Sequence, residues 1–423
     1  MIKSLQITSA QVEPALLDLP WNVPLEQWPT SIIAALPRGI SRHIVRFAYL
    51  EGKVVAVKEI GETVAHHEYE TLRDLNRIDA PCVEPIAVIT GRFDAAGEPL
   101  NAALVTQHLP FSLPYRSLFG QASMRIDTVS RLIDALAVLM VRLHLLGFYW
   151  GDVSLSNALF RRDAGEFSAY LVDAETGELE DNLSEKKRNY DIDVARVNII
   201  GELMDLQAGS ILDPEFDAIA VGNRFEERYL ELWDELTSEE SFDRSERWRV
   251  DARIRRLNDL GFEVGELAMS TDIDGTSISI QPKVVDLGHY SRKLMRLTGL
   301  DVEEKQARRL VNDMESYRTY TGKSDYPLEI VAHEWMTNVY EPTVQAVPPE
   351  LRTKLQPAQL FHEILEHRWF MSERQNRDVP MREAVNSYVH EVLTHRRDES
   401  QFIGRDADGP ATEEFDVGTI FGD

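Results

Sequence analysis

The chain has 423 residues, 43% of them hydrophobic and 27% charged, a globular composition too long for one ordinary core. Two to three domains are expected. Its 71 acidic residues against 45 Lys and Arg leave a net charge of −26, which argues against broad nucleic-acid binding and against docking on anionic membranes.

Residues 1–30 are rich in Pro and Trp and read as an irregular arm. The opening MIKSLQITSA has no apolar core of a signal peptide. HIVRFAYL, a Glu51-Gly52 turn and KVVAVKEI then predict a β-hairpin. ETVAHHEYETLRDLNRI has helical periodicity, with Val64, Leu72 and Leu75 marking its apolar face. Cys82, the single cysteine, excludes an internal disulfide and reads as a small, half-buried packing residue suited to a reducing compartment. VEPIAVITG and NAALVTQHL predict two more strands. DTVSRLIDALAVLMVRLHLLG predicts a long helix. Val129, Leu132, Ile133, Leu136, Met140 and Leu143 form its apolar face, and Gly147 stops it. Asp134, Arg142 and His144 mark it as a core helix and not a membrane span, with His144 a packing or hydrogen-bonding residue. A cytoplasmic protein is the simplest expectation.

Beyond GFYWGDVSLSNALFRRDAGEFSAYLVDAETGEL, YDIDVARVNIIGELMDL and FEERYLELWDEL predict helices, and a boundary falls near 240. WRVDARIRRLNDLGF reads as a helix. ELAMSTDIDGTSISIQPKVV reads as a hairpin turning at Asp274-Gly275. The rest is helical to about 397, with Pro357 and Pro380 at helix starts. Residues 398–423 carry eight acids against one arginine and are expected to be disordered. Arg253, Arg255 and Arg256, like Arg308 and Arg309, are read as internal salt-bridge partners. His362, Glu366 and His367 are read as a solvated or packed helix face rather than a metal site.

The chemistry concentrates in a few residues. In VAVK, Lys58 shares a strand face with Val54, Ala56 and Ile60, so a buried Lys58 needs an anion. Glu68 sits on the buried row of the next helix, and mutual pairing satisfies both. The alternative is that both lie at the rim and snorkel to water. Asp152 follows a helix and a Gly-bearing turn, and Asn157 precedes the apolar run ALF. AYLVD places Asp173 at a strand end, with Glu175 just after it. Oxygens fixed at strand ends suit a hard cation such as Mg²⁺, and a carboxylate at the same cleft can take a hydroxyl proton.

Lys, helix Glu, D-x-x-x-x-N and an Asp after an apolar strand, in that order, resemble the protein-kinase-like superfamily over roughly residues 35–205. VAVK resembles its strand lysine motif, GDVSLSN its catalytic loop, LVDAE its metal motif and LVTQHL its hinge. The nearest likeness is to the bacterial lipopolysaccharide-kinase and aminoglycoside-phosphotransferase-like branches. Beyond 240, RRLNDLGFEV, LTGLDVEEKQARRLVNDM and FHEILEHRWFMSER resemble an uncharacterised bacterial domain fused to such regions. The resemblance implies an α+β fold: a bilobal kinase-like domain over 31–240, with a β-rich N-lobe (31–108) and a helical C-lobe (109–240). A mainly helical domain with a small hairpin would follow over 241–397. It implies ATP and Mg²⁺ as cofactors, and Asp152 as catalytic base. Lys58 would contact phosphates, held by Glu68. Ala56, Thr106 and Gln107 would sit around the adenine, and Ser41 and Arg42 near the phosphates. Asn157, Asp173 and Glu175 would hold metal. Asp193 would buttress the catalytic loop by accepting backbone hydrogen bonds.

RGISRHIVRF holds one glycine, Gly39, where the family pattern has three. Trp150-Gly151-Asp152 replaces His-Arg-Asp. Only about twenty residues separate Asp173 from Asp193, too few for an activation segment with a peptide platform. These departures point away from a conventional protein kinase and toward an atypical kinase acting on a hydroxyl acceptor. The alternatives are a nucleotide-binding pseudokinase scaffold and a nucleotidyl transferase on the same fold.

Overall fold

The computed structural model describes residues 4–10, 13–34, 43–119, 126–271, 277–396 and 398–399. Expectations placed on Gly39, Ser41, Arg42, the Asp274-Gly275 turn and the tail from residue 400 lie outside them.

An antiparallel five-stranded sheet comes first, in the order β1 (Gln6–Ser9), β4 (Pro85–Thr90), β5 (Ala102–Gln107), β3 (Lys53–Ile60), β2 (Ile44–Leu50). Glu51 and Gly52 turn the β2–β3 hairpin with φ of 47° and 81°, the left-handed pair that a tight two-residue turn requires. Alternation along β3 sorts its faces. Val55 and Val57 enter one core with Trp21 and Trp28, while Val54, Ala56 and Lys58 line a cleft on the other side.

The first thirty residues differ from the irregular arm expected. They supply the edge strand β1, and they bury Leu16, Trp21, Leu25 and Trp28 against the back of the sheet. Their apolar side chains cover a sheet face that water would otherwise meet. Arg92 fastens them. It is 1% exposed, donates to Trp21 O (3.0 Å) and Val23 O (2.9 Å), and pairs with buried Glu59 at 2.6 Å.

Helix α1 (Glu62–Arg77) packs Ala65, Tyr69, Leu72 and Leu75 inward. Val64, expected on that face, falls at its edge and is 38% exposed. The second lobe holds β6 (Ser112–Pro114), α2 (Tyr115–Phe119), α3 (Ile126–Leu145), β7 (Phe148–Tyr149), β8 (Ala158–Asp163), β9 (Glu166–Leu171), β10 (Glu178–Leu179), α4 (Glu185–Ala208) and α5 (Ala218–Thr237). All six apolar positions named for α3 are buried. Among the described residues, no helix is long and apolar enough to cross a membrane. Gly147 ends α3 with φ 86°, and a Cβ there would lie 2.0 Å from Glu180 O. β8 and β9 form a hairpin turned by Ala164 and Gly165, φ 53° and 86°.

The C-terminal region begins with β11 (Glu240–Asp243), α6 (Trp248–Asp259), β12 (Phe262–Thr271) and β13 (Ser277–Leu287), whose strands make a small sheet in the order β11-β13-β12. It continues as α7 (His289–Thr298), α8 (Glu304–Tyr320), α9 (Leu328–Trp335), α10 (Glu341–Gln345), α11 (Pro349–Arg352), α12 (Pro357–Gln375) and α13 (Met381–Glu391). These helices enclose their own core around Trp335, Tyr340 and Phe361. The fold is thus α+β and bilobal, with a helical C-terminal region, as expected. Arg253 and Arg256 pair with Glu240, and Arg256 also with Glu235. His362 packs beside Arg309; burial, with that guanidinium adding, pulls its imidazole down to about 4.

Candidate active site

The cleft between the lobes has a volume of about 1220 Å³. Ala56, Lys58, Glu68, Thr106, Gln107, Asp152, Asn157, Asp173 and Glu175 all line it, though they come from β3, α1, β5 and the loops around the β8–β9 hairpin.

Lys58 sits at its centre. Its Nζ lies 3.0 Å from Glu68 Oε2, 2.7 Å from Asp173 Oδ2 and 3.3 Å from Glu175 Oε2. Burial works to lower the Lys58 pKa, but Glu68, Asp173 and Glu175 together hold it above the ordinary lysine range. Glu68 is fully buried. Burial, with the Asp173 charge adding, pushes its carboxyl up to about 7 against the pull of Lys58. His43 contacts Glu175 at 3.0 Å. Oxygens of Glu68, Asp173 and Glu175 all lie within 4.8 Å of one another, the one such acidic cluster among the described residues. Three carboxylates face one ammonium, so negative charge is left over, and hard oxygen donors in excess fit a divalent cation such as Mg²⁺.

The lobes are tied together beside this cluster. Val83 N–H donates to Leu171 O (3.0 Å) and Leu171 N–H to Pro81 O (2.9 Å), joining the loop after α1 to the end of β9. Glu68 and Asp173 are thereby held on one frame.

Asp152 lines the same cleft and is held by two amides. Asn157 Nδ2 donates to its carbonyl at 2.9 Å and reaches Oδ2 at 3.4 Å. Asn198 Nδ2, from α4, reaches Oδ1 at 3.3 Å and Val153 O at 3.0 Å. Glu202, one turn further along α4, accepts from Leu155 N–H (2.8 Å), Ser156 N–H (2.9 Å) and the Ser156 hydroxyl. Burial raises its carboxyl above the usual range, opposed by those hydrogen bonds.

One expectation is corrected. Asp193 is exposed. The backbone bonds assigned to it go to Asp191, which is fully buried and accepts from Trp150 N–H and Gly151 N–H, each at 2.8 Å. Two residues along a helix turn the side chain by roughly 200°, so only one of the pair can face the loop. His144 also binds Asp191, through Nε2 at 3.1 Å, while its Nδ1 meets the Tyr229 hydroxyl at 2.7 Å. Burial lowers the His144 pKa, although Asp191 opposes this. His144 is therefore a hydrogen-bonding core residue. Trp150, where a histidine was missing from the motif, is 1% exposed and donates from Nε1 to Asp173 O at 3.2 Å.

Asp191, Asn198 and Glu202 fall at i, i+7 and i+11 on α4. That polar stripe is the sequence signal by which Asn198 and Glu202 could have been found.

Apolar side chains also line the cleft: Val45 and Leu104, which flank Lys58 in register on β2 and β5, with Leu159 and Val172. Ala56 pairs in register with Thr106. His108 N–H donates to Val54 O at 3.0 Å. Burial, with Arg161 adding, lowers the His108 imidazole to about 4, so it adds no positive charge near neutral pH.

Residues 49–198 match the lipopolysaccharide kinase (Kdo/WaaP) family. Residues 231–393 match a domain of unknown function, DUF4032. No curated protein matches the chain. Similar solved structures include WaaP in complex with acyl carrier protein, 16% identical, with 60% of this chain and 99% of that chain covered at a TM-score of 0.35. The Rad53 kinase domain and SCD2 is another, 15% identical, with 32% and 49% covered at 0.25. The chain thus joins a segment, residues 49–198, that matches the lipopolysaccharide kinase (Kdo/WaaP) family to a segment, residues 231–393, that matches a domain of unknown function.

Proposed function

We propose that the chain is an atypical kinase that moves the γ-phosphoryl group of ATP, with Mg²⁺, to a hydroxyl acceptor. The observation that supports this best is Lys58 shared between Glu68 and Asp173, at 3.0 and 2.7 Å, in the same cleft as Asp152. The reading takes residues 31–240 as the catalytic unit and 241–397 as a second unit.

Each residue then has a task. The apolar lining, with Ala56, Thr106 and Gln107, takes the adenine. Lys58, oriented by Glu68, binds phosphate oxygens. Asp173 and Glu175, with Asn157, hold the metal, which when bound neutralises phosphate charge. Asp152, fixed by Asn157 and Asn198, orients the acceptor hydroxyl and takes its proton as the oxygen bonds to the γ-phosphorus. The bond to the bridging oxygen breaks and ADP leaves with the electron pair.

The test is label transfer from γ-labelled ATP, with Mg²⁺, to the protein or to a soluble extract, with α-labelled ATP in parallel. A γ-labelled product is expected. An α-labelled product would replace the reading with nucleotidyl transfer. No transfer from either label, with ATP still bound, would replace it with a nucleotide-binding scaffold. Asp173→Ala is expected to weaken Mg²⁺–ATP binding by about tenfold or more, ~1.4 kcal/mol, measured by calorimetry. Equal affinity in the two proteins would remove Asp173 from the metal site.

A further inference from the structure

The β8–β9 hairpin joins the two halves of the candidate chemistry. Asn157 immediately precedes β8, and Asp173 follows β9 by two residues. The strands pair without a break from Ala158–Leu171 to Asp163–Glu166. A shift imposed at the turn is therefore passed along the ladder to the base that carries both residues.

The C-terminal region grips this hairpin on its turn and on both strands. Asp163 Oδ1 accepts from Gln306 N–H at 2.6 Å and Oδ2 from Lys305 N–H at 3.2 Å. Those are the third and second residues of α8, whose own N-cap residue, Glu303, makes no side-chain cap bond. Asp163 thus satisfies helix donors that a local cap would otherwise take. Gln306 answers in the other direction. Its Oε1 accepts from Ala164 N–H at 3.1 Å, and its Nε2 donates to Ala358 O at 2.6 Å, at the start of α12. Glu303 takes the Tyr170 hydroxyl at 2.7 Å and pairs with Arg161 at 3.4 Å. Glu399, itself a cleft-lining residue, pairs with Arg162 at 2.7 Å, and its N–H donates to Lys354 O at 2.8 Å.

Asp163 and Gln306 are each 2% exposed. Buried, directional hydrogen bonds fix a relative position more narrowly than apolar contact does. The hairpin turn is joined to the C-terminal region by such bonds.

We propose that Asp163 and Gln306 are positioning residues, a clamp through which the C-terminal region sets the placement of Asn157 and Asp173. The region matched by the domain of unknown function is then a working part of the phosphotransfer site. This rests on the kinase reading above.

The experiment titrates Mg²⁺ into the full-length chain with ATP and reads nucleotide binding by calorimetry. It compares wild type, Asp163→Ala, Asp163→Asn, Gln306→Ala, Tyr170→Phe and Asp173→Ala, each checked for folding by circular dichroism and melting. Metal-free ATP binding is the internal control. Asp163→Ala and Gln306→Ala are expected to bind metal-free ATP as wild type does and to need about tenfold more Mg²⁺ for half-saturation. Asp163→Asn, which keeps one acceptor oxygen but turns an amide NH₂ toward the other donors, is expected to recover only part of that shift. Tyr170→Phe is the fallback if either alanine variant does not fold, with a smaller shift in the same direction. A lowered melting point with an unmoved Mg²⁺ midpoint, while Asp173→Ala does shift it, would overturn the clamp and leave the kinase reading standing. No shift in Asp173→Ala would remove the metal site, and the clamp with it.

Discussion

Asp152→Ala is expected to fold, to bind Mg²⁺–ATP within about threefold of wild type, and to lose turnover by roughly 10²–10⁴-fold. That loss corresponds to about 3–5 kcal/mol in the barrier. Asp152 lines the same cleft as the Lys58 cluster and is contacted by Asn157 and Asn198, while Lys58 is contacted by Glu68, Asp173 and Glu175. Its removal therefore leaves the proposed phosphate contacts in place. It removes the one carboxylate positioned by both amides to receive a proton. Steady-state kinetics with an acceptor found by label transfer give the rate, and calorimetry the affinity. Turnover unchanged in the variant would take the base assignment away from Asp152. Affinity lost together with turnover would give it a binding role instead.

The largest effect on stability is expected at Asp191. Asp191→Ala orphans one buried and one part-buried backbone N–H group and the ring nitrogen of His144 that now meets its carboxylate. Each buried donor left unsatisfied costs about 1–3 kcal/mol, so a loss of about 3–5 kcal/mol is expected. For a unit of this size that lowers the melting temperature by roughly 10 °C. The exposed neighbour Asp193 is the control: Asp193→Ala is expected within about 0.5 kcal/mol of wild type. Thermal melts of the two variants side by side decide between them. A damaging Asp193→Ala with a harmless Asp191→Ala would return the buttressing role to Asp193.

The residues legible in the sequence share one property, which is that local pattern fixes where they point. Alternation in β3 turns Lys58 to the cleft, and helical spacing in α1 puts Glu68 on the buried arc. GDVSLSN and LVDAE fall on short loops flanking paired strands, so Asp152 and Asp173 were found with them. Asp191 was missed for Asp193 because helical phase was needed, and a motif spacing does not supply it. Asn198 and Glu202 lie a few turns beyond the motif on the same helix, where polar residues usually face water. The N-terminal strand and the grip of Glu303, Gln306 and Glu399 on the β8–β9 hairpin were not legible. Their partners lie 77 to 237 residues away in the chain, and no local periodicity encodes such pairings. Val64 shows the limit of the periodic reading itself, since a position at the edge of an apolar arc can face either way.

Cys82 has a practical consequence for all of these experiments. It is the one cysteine of the chain, 9% exposed, its thiol pushed up to about 12 by burial and contacted by Asn76 Nδ2 at 3.2 Å. Thiolate is the species that reacts with maleimides and spin labels, and a buried thiol with so high a pKa forms very little of it. The wild-type chain is thus a native background for site-directed labelling. Cysteines introduced on exposed faces of the two lobes away from the cleft lining, such as Tyr49→Cys and Ile219→Cys, would carry a dye pair or spin pair without first removing anything. The distance across the cleft could then be followed as nucleotide is added.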